Sequence, residues 1–191
     1  MAKTCCGHKT QTCCNSEATP PAEVDSLSID DSGSAFFSDG IPRVTTVLDL
    51  KDKLGAIRVR LGLNRSAYNV NPGLYRIGNP DSNSPVLVTA NYKLTFDSLR
   101  KELADLSAWI LVLDTKGVNV WCAAGKGTFG TAELIRQISL TQLRDAVTHR
   151  RLILPQLGAP GIAAHEITRQ TGFRVIYGPV KAADLLAFLQ A

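Results

Sequence analysis

Two nearly uninterrupted apolar runs constrain this chain more than any other feature: Pro85-Val86-Leu87-Val88-Thr89-Ala90 and Ala108-Trp109-Ile110-Leu111-Val112-Leu113. Side chains along a strand alternate between two faces, so a strand can be apolar throughout only when both faces are covered. That is the situation of an inner strand in a mostly parallel sheet with helices on either side. The neighbouring text agrees. Ala56-Ile57-Arg58-Val59-Arg60-Leu61 alternates with a period of two and predicts a half-exposed strand, and Leu74-Tyr75-Arg76-Ile77 predicts another. Thr95 stands where it can cap a helix from Phe96 to Leu106, with Leu99, Leu103 and Leu106 on one face. Further helices are expected over Thr131–Ile138, Thr141–Thr148, Ile162–Thr171 (closed by Gly172) and Lys181–Leu189. Strands are expected at Leu152–Pro155 and Phe173–Tyr177. Strand alternating with helix implies an α/β, Rossmann-like domain: a mostly parallel sheet flanked by helices.

Composition sets the limits of that domain. Residues 1–42 are rich in Ser, Asp, Gly, Pro and Thr, and their few large apolar side chains cannot offset the entropy of ordering them. They read as a flexible tail before an α/β domain at 43–191. The tail carries six acids against Lys3 and Lys9, which leaves a basic body within a net charge of +4. Basic residues are scattered without interleaved aromatics, so no nucleic-acid partner is expected. No apolar run reaches the roughly 18–20 residues of a membrane span, and Met1 to Cys14 lack the apolar stretch of a secretory signal. The chain alone therefore reads as soluble and cytoplasmic, with its five cysteines as thiols. His149 and His165, read as lying in helices beside charged neighbours, are expected to be structural or exposed rather than ligands.

In such sheets the ligand site lies beyond the carboxyl ends of the strands, here Thr89-Ala90-Asn91, Asp114-Thr115, Pro155-Gln156 and Gly178-Pro179. The segment Asn119-Val120-Trp121-Cys122-Ala123-Ala124-Gly125-Lys126 follows one of these ends directly. A thiol sits beside a large aromatic, and two alanines and a glycine leave a surface that a flat, wide ligand could approach. Gly125-Lys126-Gly127-Thr128 hints at a phosphate loop, but position 120 is Val and Lys126 is followed by Gly, so that pattern fails twice.

Asn119 to Lys126 resembles the signature of the mercury-methylation corrinoid protein. The soluble domain of that family is in turn similar to the corrinoid domain of the corrinoid iron–sulfur protein large subunit. The resemblance spans roughly residues 45–191 and includes Pro85 to Tyr92, Gly127 to Thr131 and Arg151 to Ala159. It implies a corrinoid of cobalamin type. Cys122, on a short capping helix, would be the lower axial ligand to cobalt through its thiolate, a strong donor to a borderline metal.

A corrin ring needs small residues beneath it and polar groups around its edge. Ala123, Ala124 and Gly125 would supply the first. Thr89, Asn91, Thr115, Gln156 and the amides near Gly158 and Gly178 would supply the second, beside Asn119, Val120, Trp121 and Lys126 of the signature. The activity so implied is transfer of a methyl group from methyl-Co(III) to inorganic mercury. It would call for a folate-type methyl donor system, a ferredoxin-like iron–sulfur protein as reductant and mercuric ion as acceptor. The resemblance also implies a C-terminal membrane region, absent from this chain, that holds the family to the cytoplasmic side of the membrane. Cys5, Cys6, Cys13 and Cys14 lack the spacing of zinc or iron–sulfur sites but could bind a soft cation such as mercuric ion. Two other readings stay open: a methyl-carrier corrinoid subunit of an acetyl-CoA-type pathway, against which Cys122 argues because the resemblance implies that this branch lacks a cysteine here, and a soft-metal-binding protein.

Overall fold

The computed structural model describes residues 40–62 and 68–191. The strands in chain order are β1 (Arg43–Val44), β2 (Gly73–Ile77), β3 (Val86–Ala90), β4 (Ala108–Leu113), β5 (Arg151–Leu154) and β6 (Arg174–Tyr177). They form one sheet in the order β1-β2-β4-β3-β5-β6. The two apolar runs become β3 and β4, paired in parallel at its centre from Val86 opposite Trp109 to Ala90 opposite Leu113. Strands β5 and β6 extend the parallel half, while β2 lies antiparallel to β4 and carries β1 at the edge. Every residue of β3 and β4 is buried. The two faces feed separate cores, each fully buried aliphatic side chain contributing about 2 kcal/mol.

On one face, Val86, Val88, Leu111 and Leu113 pack with α3 (Val120–Lys126), α4 (Thr131–Leu140), α5 (Leu143–Ala146) and α6 (Ala164–Thr171). On the other, Leu87, Ile110 and Val112 meet Phe96 of α2 (Lys93–Lys101) and Leu185 of α7 (Leu185–Gln190). This is the α/β, mostly parallel, Rossmann-like layering expected.

Several local expectations change. Residues 56–61 are not a strand; they belong to α1 (Leu50–Arg60) and its end. Asp49 opens that helix with a capping box: its carboxylate accepts the Asp52 amide at 2.7 Å, and the Asp52 carboxylate accepts the Asp49 amide at 3.3 Å. Ile57 and Leu61 also belong to a helical spacing that begins at Leu50, with Val59 turned to the buried side of the helix, and this start signal decides between the two periods. Helix α2 begins at Lys93 behind Tyr92, so Thr95 lies inside it, and it ends at Lys101. The helix expected at 141–148 shrinks to Leu143–Ala146, and the last one opens with a 3₁₀ turn, Ala182–Asp184. Gly172 ends α6 at φ 75°, as its position suggested. His149 lies in a bend rather than a helix, its Nε2 2.9 Å from the Ser84 carbonyl while Nδ1 accepts the Arg151 amide at 3.2 Å. His165 is exposed on α6.

Sequence reading missed an ion cluster that fastens α1 to α2. Lys93 Nζ contacts Asp52 at 2.7 Å and Asp97 at 2.6 Å. Arg100 bonds Asp97 at 2.7 Å, pairs with Asp52 and donates to the Thr45 carbonyl at 2.7 Å. Two cations thus meet two anions. Burial alone would raise the Asp52 carboxyl, but hydrogen bonds and charge from Lys93 and Arg100 outweigh it and hold it at about 2. Tyr68 lies against Gly55, where a Cβ would stand 2.5 Å from its Oη, and this glycine lets α1 approach the domain.

Candidate functional site

A cavity of about 660 Å³ opens at the carboxyl ends of β3, β5 and β6, where the parallel topology places ligand sites. Thr89, Leu154 and Gly178 form its floor, α2 and the turn before α7 form one wall, and Asn119, Val120 and Trp121 at the start of α3 form another. Its lining is mainly apolar. Trp121, Leu157 and Val180 are large apolar side chains left exposed on it, an arrangement typical of ligand grooves. Leu157, Val180 and the α2 wall were not foreseen. Only their nearness to the ends of β5 and β6 could have signalled the first two.

The loop that leads into α3 is built on Asn91. Its side-chain oxygen accepts the Thr115 amide at 3.1 Å, the Thr115 hydroxyl at 2.8 Å and the Gly117 amide at 3.0 Å. The Thr115 hydroxyl also lies 2.6 Å from the Val118 carbonyl, and it donates to one of the two acceptors at a time. Asn91 and Thr115 are both buried. Expected as polar contacts for a ligand rim, they instead hold β3, β4 and the loop together and do not line the cavity.

Asn119 caps α3 by accepting the Cys122 amide at 2.9 Å, and Gly127 ends the helix in the left-handed conformation at φ 76°. The seven-residue helix has two faces. Val120, Ala123 and Ala124 turn into the core. Ala123 and Ala124 are small because α3 packs on the 3₁₀ segment Gln156–Gly161: a Cβ on Gly161 would come within 3.2 Å of Ala124 Cα and 2.1 Å of the Phe129 carbonyl oxygen. Gly158 is buried against the Phe129 ring for the same reason, while Gln156 is exposed and lies off the cavity.

The outward face carries Trp121, Cys122, Gly125 and Lys126, all exposed. Nothing lies within 4 Å of a Cβ built at Gly125. Of the residues expected at the site, the structure therefore gathers Thr89, Asn119, Val120, Trp121 and Gly178 on the cavity and sets Cys122, Gly125 and Lys126 on the adjoining helix face. It assigns Asn91, Thr115, Ala123, Ala124 and Gly158 to the architecture. Cys5, Cys6, Cys13 and Cys14 lie outside the described residues. Among the described residues, no group of three or more His, Cys, Asp or Glu side chains could hold a metal ion.

The chain is 40% identical over 129 residues to the acetyl-CoA decarbonylase/synthase complex subunit gamma of Methanopyrus kandleri, a match covering 66% of this chain and 27% of the relative. It is 35% identical over 128 residues to the corresponding subunit of Methanocaldococcus jannaschii, covering 66% and 26%. It is also 32% identical over 120 residues to the corrinoid/iron–sulfur protein large subunit of Moorella thermoacetica, covering 62% and 26%. The chain thus spans about a quarter of the length of these relatives.

These matches overturn the assignment to the mercury-methylating branch, and with it the expected mercury methylation and membrane region. Cys122 is the residue that the resemblance offers as separating the two branches. One cysteine in an eight-residue signature is outweighed by identity over some two thirds of the chain. Mercuric ion as acceptor and a folate-type methyl donor have no support among the relatives. No helix of the described residues is long and apolar enough to cross a membrane. Residues 54–189 match the CO dehydrogenase/acetyl-CoA synthase delta subunit family, and the chain belongs to that family.

Proposed function

We propose that residues 43–191, following a tail at 1–42, form a corrinoid-binding, methyl-carrying domain that works with other subunits of an assembly. The observation that carries this reading is the outward face of α3. Glycine inside a helix costs about 1 kcal/mol relative to alanine, and Gly125 has neither a positive φ nor a neighbour that would exclude a side chain. The fold does not ask for glycine here, whereas a broad ligand lying close to the helix backbone would. The exposed indole of Trp121 and the exposed thiol of Cys122 stand on the same face, at the mouth of an apolar cavity. The similarity to a protein named as a corrinoid/iron–sulfur large subunit supports the same ligand class.

The side chains fit such a ligand. Cys122 supplies a soft donor suited to cobalt. Gly125 leaves room for a ring, Trp121 offers an apolar flank and Lys126 a cation at the edge. Asn119 fixes the start of the helix and so the position of Cys122. Thr89 and Gly178 line the adjoining cavity for the ligand's periphery. A corrinoid, when bound, would supply a cobalt centre that accepts and releases a methyl group. Reduction of that centre would fall to an iron–sulfur protein or segment beyond the described residues.

Titration of aquacobalamin into the full chain, followed by visible absorbance, tests the reading. Saturable binding with a shifted band is expected, and Cys122→Ala should abolish the shift while leaving the far-ultraviolet circular dichroism unchanged. Cobalamin that passes through equilibrium dialysis with the chain unretained would refute it.

A further inference from the structure

Helix α1 carries a second surface that has no part in the cavity. Leu50, Leu54, Ile57 and Leu61 repeat at spacings of four, three and four, which is the a/d seam of a heptad pattern. All four are between 52% and 76% exposed. In that register Lys51 and Arg58 fall at e, and Lys53 and Arg60 at g; all four are cationic and exposed. The opposite side of the helix is committed to the domain: Asp52 is held by Lys93 and Arg100, Val59 is buried, and Gly55 lies against Tyr68. The seam is thereby fixed outward on a helix that is already ordered.

We propose that α1 is a docking surface for an amphipathic helix of another protein, one with apolar residues at its own a and d positions and Glu or Asp at e and g. Charge decides the occupant. A second copy of this chain would set lysine and arginine against lysine and arginine. Lys53 would face Arg58 in a parallel pair, and Lys51 would face Arg58 in an antiparallel one, so self-pairing is repelled in both orientations. An acidic helix converts each of those contacts into an attraction and covers the four apolar side chains. The seam is only three turns long, yet the clamp at Asp52 has already ordered one of the two helices, and only the partner loses conformational freedom on docking.

The test uses two fluorescein-labelled three-heptad peptides with Leu at every a and d position, one with Glu and the other with Lys at e and g. Each is titrated with the full chain and followed by fluorescence anisotropy. The Glu peptide should bind saturably and more weakly as salt rises, and the Lys peptide should not bind. Leu54→Asp with Ile57→Asp, both at exposed positions, should weaken the Glu peptide about tenfold or more with circular dichroism unchanged. Replacing Lys51, Lys53, Arg58 and Arg60 together by Glu should transfer preference to the Lys peptide. Equal binding of both peptides, or binding indifferent to Leu54→Asp with Ile57→Asp, would overturn the proposal. So would self-association in sedimentation that the same double substitution removes, or binding to phosphatidylglycerol vesicles without binding to either peptide.

Discussion

The crossover loop at Asn91 and the outward face of α3 lie at the same end of the sheet and use similar residues in opposite ways. At the crossover every polar group is answered from within: one side-chain oxygen gathers two amides and a hydroxyl. On α3 an indole, a thiol, an ammonium and a stretch of bare backbone are left to solvent. Buried polar groups without partners are costly, so the first region is explained by the fold alone. Exposed Trp121 and helical Gly125 lower the stability of an isolated domain or leave it unchanged, and their explanation lies outside the fold. Polarity near a strand end therefore does not identify a ligand contact. What distinguishes one is polarity or smallness that the architecture does not use.

Substitutions can break or sharpen this contrast. The largest effect is expected at the crossover. Asn91→Ala would orphan two buried amides, while the Thr115 hydroxyl keeps the Val118 carbonyl as acceptor, and should lower stability by about 3 kcal/mol; urea denaturation measures this, and a loss below about 1 kcal/mol would mean that water replaces the side chain. The ion cluster is a second region of the satisfied kind. The folded protein holds Asp52 at about 2, against an ordinary value of 3.8. Its contribution, about 2 kcal/mol, is fully present above about pH 4 and is lost as pH falls through the folded value. Asp52→Asn should lose that amount at neutral pH and flatten the acid limb of a stability-against-pH curve. A variant with an unchanged acid limb would show that other carboxylates set it. The smallest effect is expected on α3, and its sign is reversed. Gly125→Ala should stabilise the ligand-free chain by about 0.5–1 kcal/mol, seen as a higher thermal midpoint, and a lower midpoint would reveal a fold constraint at this position.

Much of the sheet was legible because period-two and all-apolar patterns report burial directly. β3 and β4 stand within a residue of where the apolar runs put them, and β6 begins one residue later than expected. Residues 56–61 misled because Ile57 and Leu61 fit both the alternation with Val59 and a helical spacing from Leu50, and only the capping box at Asp49 separates the two. The ion cluster was invisible, since Asp52 and Lys93 are 41 positions apart and nothing local marks the pair. At the candidate site, the segment Asn119–Lys126 stood out by composition, but which of its residues face inward depends on the packing of α3 against Gln156–Gly161. Ala124 and Gly125 are adjacent and similar in the text, yet one meets the core and the other open space.

The claim that the outward face of α3 receives the ligand is tested most directly by the affinity of Gly125→Leu for aquacobalamin, measured by absorbance titration beside the parent chain. Leucine favours a helix, its Cβ would meet no neighbour and the position is exposed, so the fold should tolerate it. The account predicts an affinity lower by about tenfold or more, because the new side chain would stand between the ring and the helix. An affinity equal to the parent's would contradict it and place the ligand elsewhere on the molecule.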